Sequence, residues 1–467
     1  MERGNLFSDV KGEAQMGGPH ECQSTKAGNR GGAVCSSEEG SVMELERRGC
    51  IIQLYGGVNQ GREEPLGKAK PFCISKREVW DAYRRVRANK GSYGVDGESI
   101  EEFEEDVSNN LYKLWNRMSS GSYFPSPVKR VEIPKADGGR RALGIPTVTD
   151  RIAQTVVLGR LEPVLDRRFH PDSYGYRPGK SAIDAVRTAR ERCWHYEWVL
   201  DLDMKAFFDN IDHGLLMRAV RKHTDETWVL LYIERWLNAR VAQKDGTLIG
   251  GEKGTPQGGV ISPLLANLFM HYAFDAWMQR SCPSIPFERF ADDVICHCTT
   301  EKQAQWALSK IKTRLEACGL ELHPEETRMV RCRGRGSGSF NFLGFTFRPR
   351  KAKNRRGEYF VSFLPAVSNK ALKRMRQTLR RMGLHRRTDL SLKDLANLLN
   401  PLIRGWINYF GHFYRSALFR LVQHVDWILI RWAKRKYKRL RKRTRKASYW
   451  LHRIRTNQTQ LLVHWSY

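Results

Sequence analysis

The chain has 467 residues and 80 lysines and arginines against 50 aspartates and glutamates, a formal charge of +30. Solubility needs far less charge, so the excess points to a polyanionic partner, RNA or DNA. A hydrophobic content of 41% excludes a disordered basic tail, and the length allows about three domains. No apolar run approaches the ~20 residues that cross a bilayer, and Glu2, Asp9, Glu13 and Glu21 interrupt any secretory or transit pattern. The expectation is an intracellular protein with no membrane partner. Ten cysteines without paired Cys-x-x-Cys spacing indicate neither a disulfide framework nor a zinc ribbon. Cys296-His297-Cys298, the one tight cluster, reads as strand packing.

In chain order, residues 1–74 are rich in Gly, Ser and Glu without periodicity and read as a disordered extension. Helical periodicity begins over residues 75–88, and a second helix runs through about Met118. Residues 128–133 and 141–145 read as a hairpin turned at Asp137-Gly138-Gly139, with Lys135 and Arg141 near its tip. A Gly/Pro loop precedes Ile261, and residues 340–345 read as a short strand. After Pro365 the pattern becomes helical over 368–382, 390–399, 402–414 and 417–438. Basic residues there interleave with aromatics, and residues 431–446 contain no acidic residue.

Two acidic segments carry the chemistry. In Leu200-Asp201-Leu202-Asp203-Met204, alternation places Val199, Asp201 and Asp203 on one face and Leu200, Leu202 and Met204 on the other. Phe290-Ala291-Asp292-Asp293 lies about ninety residues on. Its adjacent aspartates suit a hairpin turn between strands over 287–291 and 294–298. Two-metal phosphoryl transfer needs carboxylates from separate strands, and this layout is that of a polymerase palm.

Six ordered segments strengthen this reading. They are Ile133-Pro134-Lys135 with Leu143-Gly144-Ile145-Pro146-Thr147-Val148-Thr149-Asp150-Arg151; Ser173-Tyr174-Gly175-Tyr176-Arg177-Pro178-Gly179; and Asp203-Met204-Lys205-Ala206-Phe207-Phe208-Asp209. Gly254-Thr255-Pro256-Gln257-Gly258-Gly259, the Phe290 tetrapeptide and Phe342-Leu343-Gly344-Phe345 complete them. From residue 75 onward the chain resembles the group II intron-encoded reverse transcriptases and maturases. The resemblance implies an α+β right-hand polymerase fold, fingers and palm over 75–365, followed by an α-helical thumb/maturase domain over 366–467. It implies Asp203, Asp292 and Asp293 as catalytic ligands of two Mg2+ ions. Lys135 and Arg141 would meet the triphosphate, Phe208 would block a 2'-hydroxyl, and Gln257 would touch nucleotide or template.

Leu399-Asn400-Pro401-Leu402-Ile403-Arg404-Gly405-Trp406 resembles the maturase segment. Arg404, Trp406, Arg435, Lys436, Lys438 and Arg439 are then expected to bind RNA. No paired Cys-x-x-Cys follows, so the resemblance is to members without an HNH endonuclease domain. One departure stands at Glu326-Thr327, where the family usually has Lys before Thr.

The implied function is RNA-directed DNA synthesis joined to intron splicing and retrohoming. Its partners would be group II intron RNA, target DNA, an RNA template with DNA primer, and deoxynucleoside triphosphates, in a bacterial cytoplasm at the nucleoid. A related reverse transcriptase serving host defence or DNA repair is one alternative, and an RNA-binding maturase with weak polymerase activity is another. The oligomeric state is left open.

Overall fold

The computed structural model describes residues 70–134, 139–333, 336–354 and 356–467. Most of the expected N-terminal extension therefore lies outside the described residues. Phe72–Tyr467 form one compact unit.

α1 (Lys76–Asn89) begins at Ser75, whose hydroxyl accepts from the Glu78 amide while the Glu78 carboxylate accepts from the Ser75 amide. This reciprocal cap satisfies two otherwise orphan donors. Val79, Ala82, Tyr83 and Val86 form its buried stripe. The expected second helix is two, α2 (Ile100–Glu105) and α3 (Val107–Ser120), because Asp106 leaves helical geometry between them. β1 (Val128–Pro134) pairs antiparallel with β2 (Arg140–Ile145). α4 (Val148–Asp166) follows, buried along most of its first half.

α5 (Ala182–His195) precedes β3 (Trp198–Leu202), which leads into α6 (Phe207–Asn210), α7 (His213–Arg221) and α8 (Thr227–Leu237). β4 (Val241–Ala242) and β5 (Leu248–Ile249) extend the first sheet, whose order is β2-β1-β4-β5. α9 (Ser262–Met270) continues through a π turn, His271–Asp275, into α10 (Ala276–Ser281). β6 (Phe287–Phe290) and β7 (Asp293–Cys298) form a hairpin; α11 (Glu301–Ala317) and β8 (Arg328–Arg331) follow. The central sheet has the antiparallel order β6-β7-β3-β8. Leu200 and Leu202 are buried on one face as the alternation predicts. The other face is also covered at its Val199 end, where Val199, Ile295 and Val330 pack with Ala185, Val186 and Ala189 of α5. At the end carrying the aspartates, Asp201, Asp203, Asp292 and Asp293 are only partly buried.

Residues 340–345 are not one strand. β9 (Phe340–Phe342) and β10 (Phe345–Lys353) are joined at Leu343-Gly344, both at positive φ, 49° and 82°. Two consecutive left-handed residues make the tight turn that right-twisted strands favour, and a leucine in one position hid it. β11 (Tyr359–Val367) completes a sheet of order β11-β10-β9.

The C-terminal part is helical: α12 (Asn369–Arg381), α13 (Leu392–Phe410), α14 (Phe419–Lys436) and α15 (Thr444–Asn457). α13 merges the two helices expected over 390–399 and 402–414, with Pro401 inside it. Proline costs a helix interior ~3 kcal/mol, but Leu395, Ala396, Leu399 and Ile403 bury one continuous stripe that offsets it. Asn400 also clamps this region, donating to the Leu461 carbonyl and accepting from the Val463 amide. The helical cluster, centred on Trp432, meets the β9–β10 turn where Tyr409 donates to the Leu343 carbonyl at 2.9 Å.

Candidate active site

The register that pairs Leu202 with Val294 carries Asp203 opposite Asp293 at the open end of β3 and β7. Asp293 opens β7, paired with Phe290, so the hairpin turn is the two residues Ala291-Asp292. The turn is tighter than expected, since Asp293 already belongs to the strand. Ala291 adopts a φ of 60°, a conformation that costs a residue with a Cβ ~1–2 kcal/mol, so something must hold it. Gly175 lies so close that a Cβ there would stand 2.5 Å from the Ala291 nitrogen.

Arg289 is the main restraint. Its side chain is fully buried and grips Asp275 through Nε and Nη2, both at 2.7 Å. Nη1 donates to Asn267 Oδ1 at 2.9 Å and to the Ala291 carbonyl at 3.0 Å, while Nη2 also donates to Ser173 Oγ at 2.8 Å. Its backbone joins residues 172–174: Arg289 N donates to the Asp172 carbonyl, and Tyr174 N donates to the Arg289 carbonyl. The π turn ends on Asp275 and thereby presents the paired carboxylate. Beside it, Glu288 accepts from Arg192 at 2.6 Å and bonds His297 at 2.6 Å, with Arg192 also on Asp172. Sequence reasoning missed Arg289. The signal was present, because two adjacent charges inside an otherwise apolar strand of a covered sheet must each find a buried partner.

The carboxylates interact strongly. Burial, then Asp292 and Asp203, push the Asp293 carboxyl up to about 7. Burial, then Glu326 and Asp292, raise Asp203 to about 6, with His323 opposing. Burial, then Asp293, raises Asp201 to about 7, so this residue, two before Asp203 on the same face, joins the cluster. Burial raises Asp292, with Arg141 and Arg289 opposing. Glu326 thus stands among the acidic groups, held near His323, whose Nδ1 accepts from the Glu326 amide at 3.3 Å. Among the described residues, no three His, Cys, Asp or Glu side chains stand ready-formed around a metal position. The donor chemistry nevertheless fits hard divalent cations: crowded carboxylate oxygens whose mutual repulsion a cation relieves.

Of the expected nucleotide contacts, Arg141 is brought to the aspartates. It is exposed on β2, and its charge acts on both Asp292 and Asp293 and on Tyr176, which flanks them. Lys135 lies outside the described residues. Phe208 is 8% exposed and packs edge-on against Phe207 at 5.3 Å, and its carbonyl accepts from Thr255 N. The half-buried Gln257 is drawn onto β2 by its carbonyl, which accepts from Gly144 N at 2.6 Å. The Pro256-Gln257 loop, β2 and Phe208 therefore converge.

The expected RNA-binding residues separate. Arg404, Arg435, Lys438 and Arg439 are exposed, whereas Trp406 is partly buried against the helical core. The single basic helix expected over 417–438 ends at Lys436, and Lys438 and Arg439 sit on a separate 3-10 turn. Lys436 is bound internally, donating to the carbonyls of Thr388 at 2.9 Å and Leu390 at 2.7 Å.

Residues 133–347 match the family described as reverse transcriptase (RNA-dependent DNA polymerase). Residues 372–450 match the group II intron, maturase-specific domain. Protein YkfC of Escherichia coli (strain K12) is 36% identical over 208 residues, covering 43% of this chain and 54% of that protein. The group II intron-encoded protein LtrA of Lactococcus lactis subsp. cremoris is 33% identical over 193 residues, 41% of this chain and 32% of that one. The uncharacterized 91 kDa protein in cob intron of Schizosaccharomyces pombe is 24% identical over 421 residues, 75% of this chain and 51% of its own. The chain thus spans about half or less of the length of these curated relatives. Among the described residues no helix is long and apolar enough to cross a membrane.

Proposed function

Because the chain belongs to the group II intron reverse transcriptases and maturases, we propose that it is an RNA-directed DNA polymerase that also binds its intron RNA to assist splicing and mobility. The carrying observation is the placement of Asp203 opposite Asp293, with Asp292 in the adjoining turn and Arg141 acting on both turn carboxylates. On this reading the described elements up to β11 form the fingers and palm of a right-handed polymerase, and α12 to α15 its thumb and maturase domain. The substrates are deoxynucleoside triphosphates on an RNA template with a DNA primer. The setting is a bacterial cytoplasm, near the nucleoid where target DNA lies.

With Mg2+ bound, the chemistry supplied would be charge stabilisation of the attacking 3'-hydroxyl and of the departing pyrophosphate. Asp203, Asp292 and Asp293 would hold the ions. Arg141 neutralises triphosphate charge on the solvent side of the turn. Phe208 limits space beside the sugar, and Gln257 lines the loop that approaches the base pair. The exposed Arg404, Arg435, Lys438 and Arg439 supply phosphate contacts for intron RNA.

The test is primer extension on an RNA template with Mg2+ and deoxynucleotides, comparing the parent chain with Asp292→Ala/Asp293→Ala. Extension should vanish while intron RNA binding persists; synthesis by the double variant removes the assignment. Glu326 beside Asp203 favours a second reading, a maturase with weak synthesis, and Glu326→Lys should then raise the extension rate.

A further inference from the structure

The outer half of the β10–β11 ribbon is not used by anything described above. The ribbon's inner half is anchored: Phe347 stacks on Phe340 at 4.6 Å, and Phe363 is buried beside them. Trp194 of α5 donates to the Phe363 carbonyl at 3.2 Å, covering that part of the β11 edge. Tyr414 donates to the Lys351 carbonyl and fixes the ribbon to the helical part. Beyond these anchors Tyr359 is 75%, Phe360 48% and Val361 67% exposed. Such a run of large apolar groups on a free strand calls for a partner.

Register tells which chemistry lies on each face. Lys353 is opposite Tyr359, Ala352 opposite Phe360 and Lys351 opposite Val361, and cross-strand partners share a face. One face therefore alternates ammonium and apolar groups, with Lys353 Nζ 5.7 Å from the Tyr359 ring centre. The other presents Phe360. Residues 345–367 contain six basic residues and one acidic residue, Glu358. That carboxylate is bound by Asn354 Nδ2 at 2.7 Å, and the Glu358 amide donates back to Asn354 Oδ1. The ribbon is thus cationic, aromatic and stiffened at its turn.

We propose that this outer half is a docking surface for single-stranded RNA, with Tyr359 stacking on an unpaired base, Val361 packing beside it, and Lys351 and Lys353 of the same face meeting phosphates. Paired bases cannot offer their faces to such a ring, which favours a single strand over a duplex. Same-face residues two apart lie ~6.6–6.8 Å apart, of the order of one nucleotide step along an extended strand. RNA is the polyanion chosen because the inference rests on the proposed reading, in which template and intron are both RNA.

The experiment uses the full chain, Tyr359→Ser/Val361→Ser, and Lys351→Gln/Lys353→Gln. The probe is a fluorescent oligoribonucleotide too short to fold, alone or annealed to its complement. The serine pair should weaken single-strand binding at least about fivefold and leave duplex affinity unchanged. The glutamine pair should make the logarithmic salt dependence shallower by about 1 to 2. Unchanged single-strand affinity of the serine pair overturns the proposal, as does an equal loss on strand and duplex. A dimer in sedimentation velocity that the serine pair dissociates, with RNA affinity intact, assigns the ribbon to a second copy of this chain instead. Primer extension by the parent chain, measured alongside, decides the polymerase reading separately.

Discussion

Replacing Arg289 separates folding from positioning. Its guanidinium makes a two-pronged grip on Asp275 and further bonds to Asn267, Ser173 and the Ala291 carbonyl, all without solvent exposure. Arg289→Met leaves Asp275 buried and unpaired, a loss of ~3–5 kcal/mol for a broken buried pair. Adding Asp275→Leu removes the stranded charge, and apolar replacement of a whole buried pair is often neutral. The double variant should therefore recover most of the thermal midpoint lost by the single one. Extension rate should not recover, because nothing then holds the Ala291 carbonyl, and a turn with Ala291 at a φ of 60° relaxes and moves Asp292. Arg289→Lys is the milder probe: one ammonium cannot replace the fork, and each lost charge-assisted bond costs ~1.5–3 kcal/mol. The assays are thermal unfolding and single-nucleotide primer extension with the deoxynucleotide KM determined separately. A double variant that regains both stability and kcat would refute the positioning argument, leaving Arg289 as a packing charge.

Phe208→Ala should open space at the sugar and raise the ratio of ribonucleotide to deoxynucleotide kcat/KM; an unchanged ratio returns Phe208 to core packing beside Phe207. Alanine at Arg435, Lys438 and Arg439 together should lower intron RNA affinity and flatten its logarithmic salt dependence by about 2 to 3. Lys436→Ala should instead leave the salt slope alone and lower the melting temperature, costing ~1 kcal/mol for the lost bonds to the Thr388 and Leu390 carbonyls. Burial lowers the His271 pKa to about 4, with Asp275 opposing and Arg289, His223 and His170 adding to the fall. A folded value below the unfolded one, ~6.5, means its contribution is full above pH ~6.5 and is lost as pH falls through about 4. His271→Phe should accordingly show a smaller decline in melting temperature across that window than the parent chain, and equal declines would count against the burial argument.

The parts of the site that were legible are those set by local periodicity. Alternation placed Asp203 on the open face of β3, and an adjacent aspartate pair between two apolar runs implied a turn. The same alternation also put Asp201 on that face, although its membership in the cluster depends on β7 and β8 lying alongside. What could not be read is partner identity. Arg289 looks, in sequence, like one more cation in a strongly basic chain, yet its partners lie 2 to 116 residues away in four different segments. Period-two reasoning says that Glu288 and Arg289 point to opposite faces. It does not say that both faces are covered, which is what turns each charge from a solvated group into an obligatory hydrogen-bonding one. Lys436 shows the converse error: it lies in a basic run, but helix termination one residue later turns its ammonium toward the Thr388 and Leu390 carbonyls. Charge density along a chain thus locates a surface for RNA only after the internally committed cations are subtracted; that subtraction removes Lys436 and leaves the exposed Arg404, Arg435, Lys438 and Arg439 among the residues that contribute to the salt dependence.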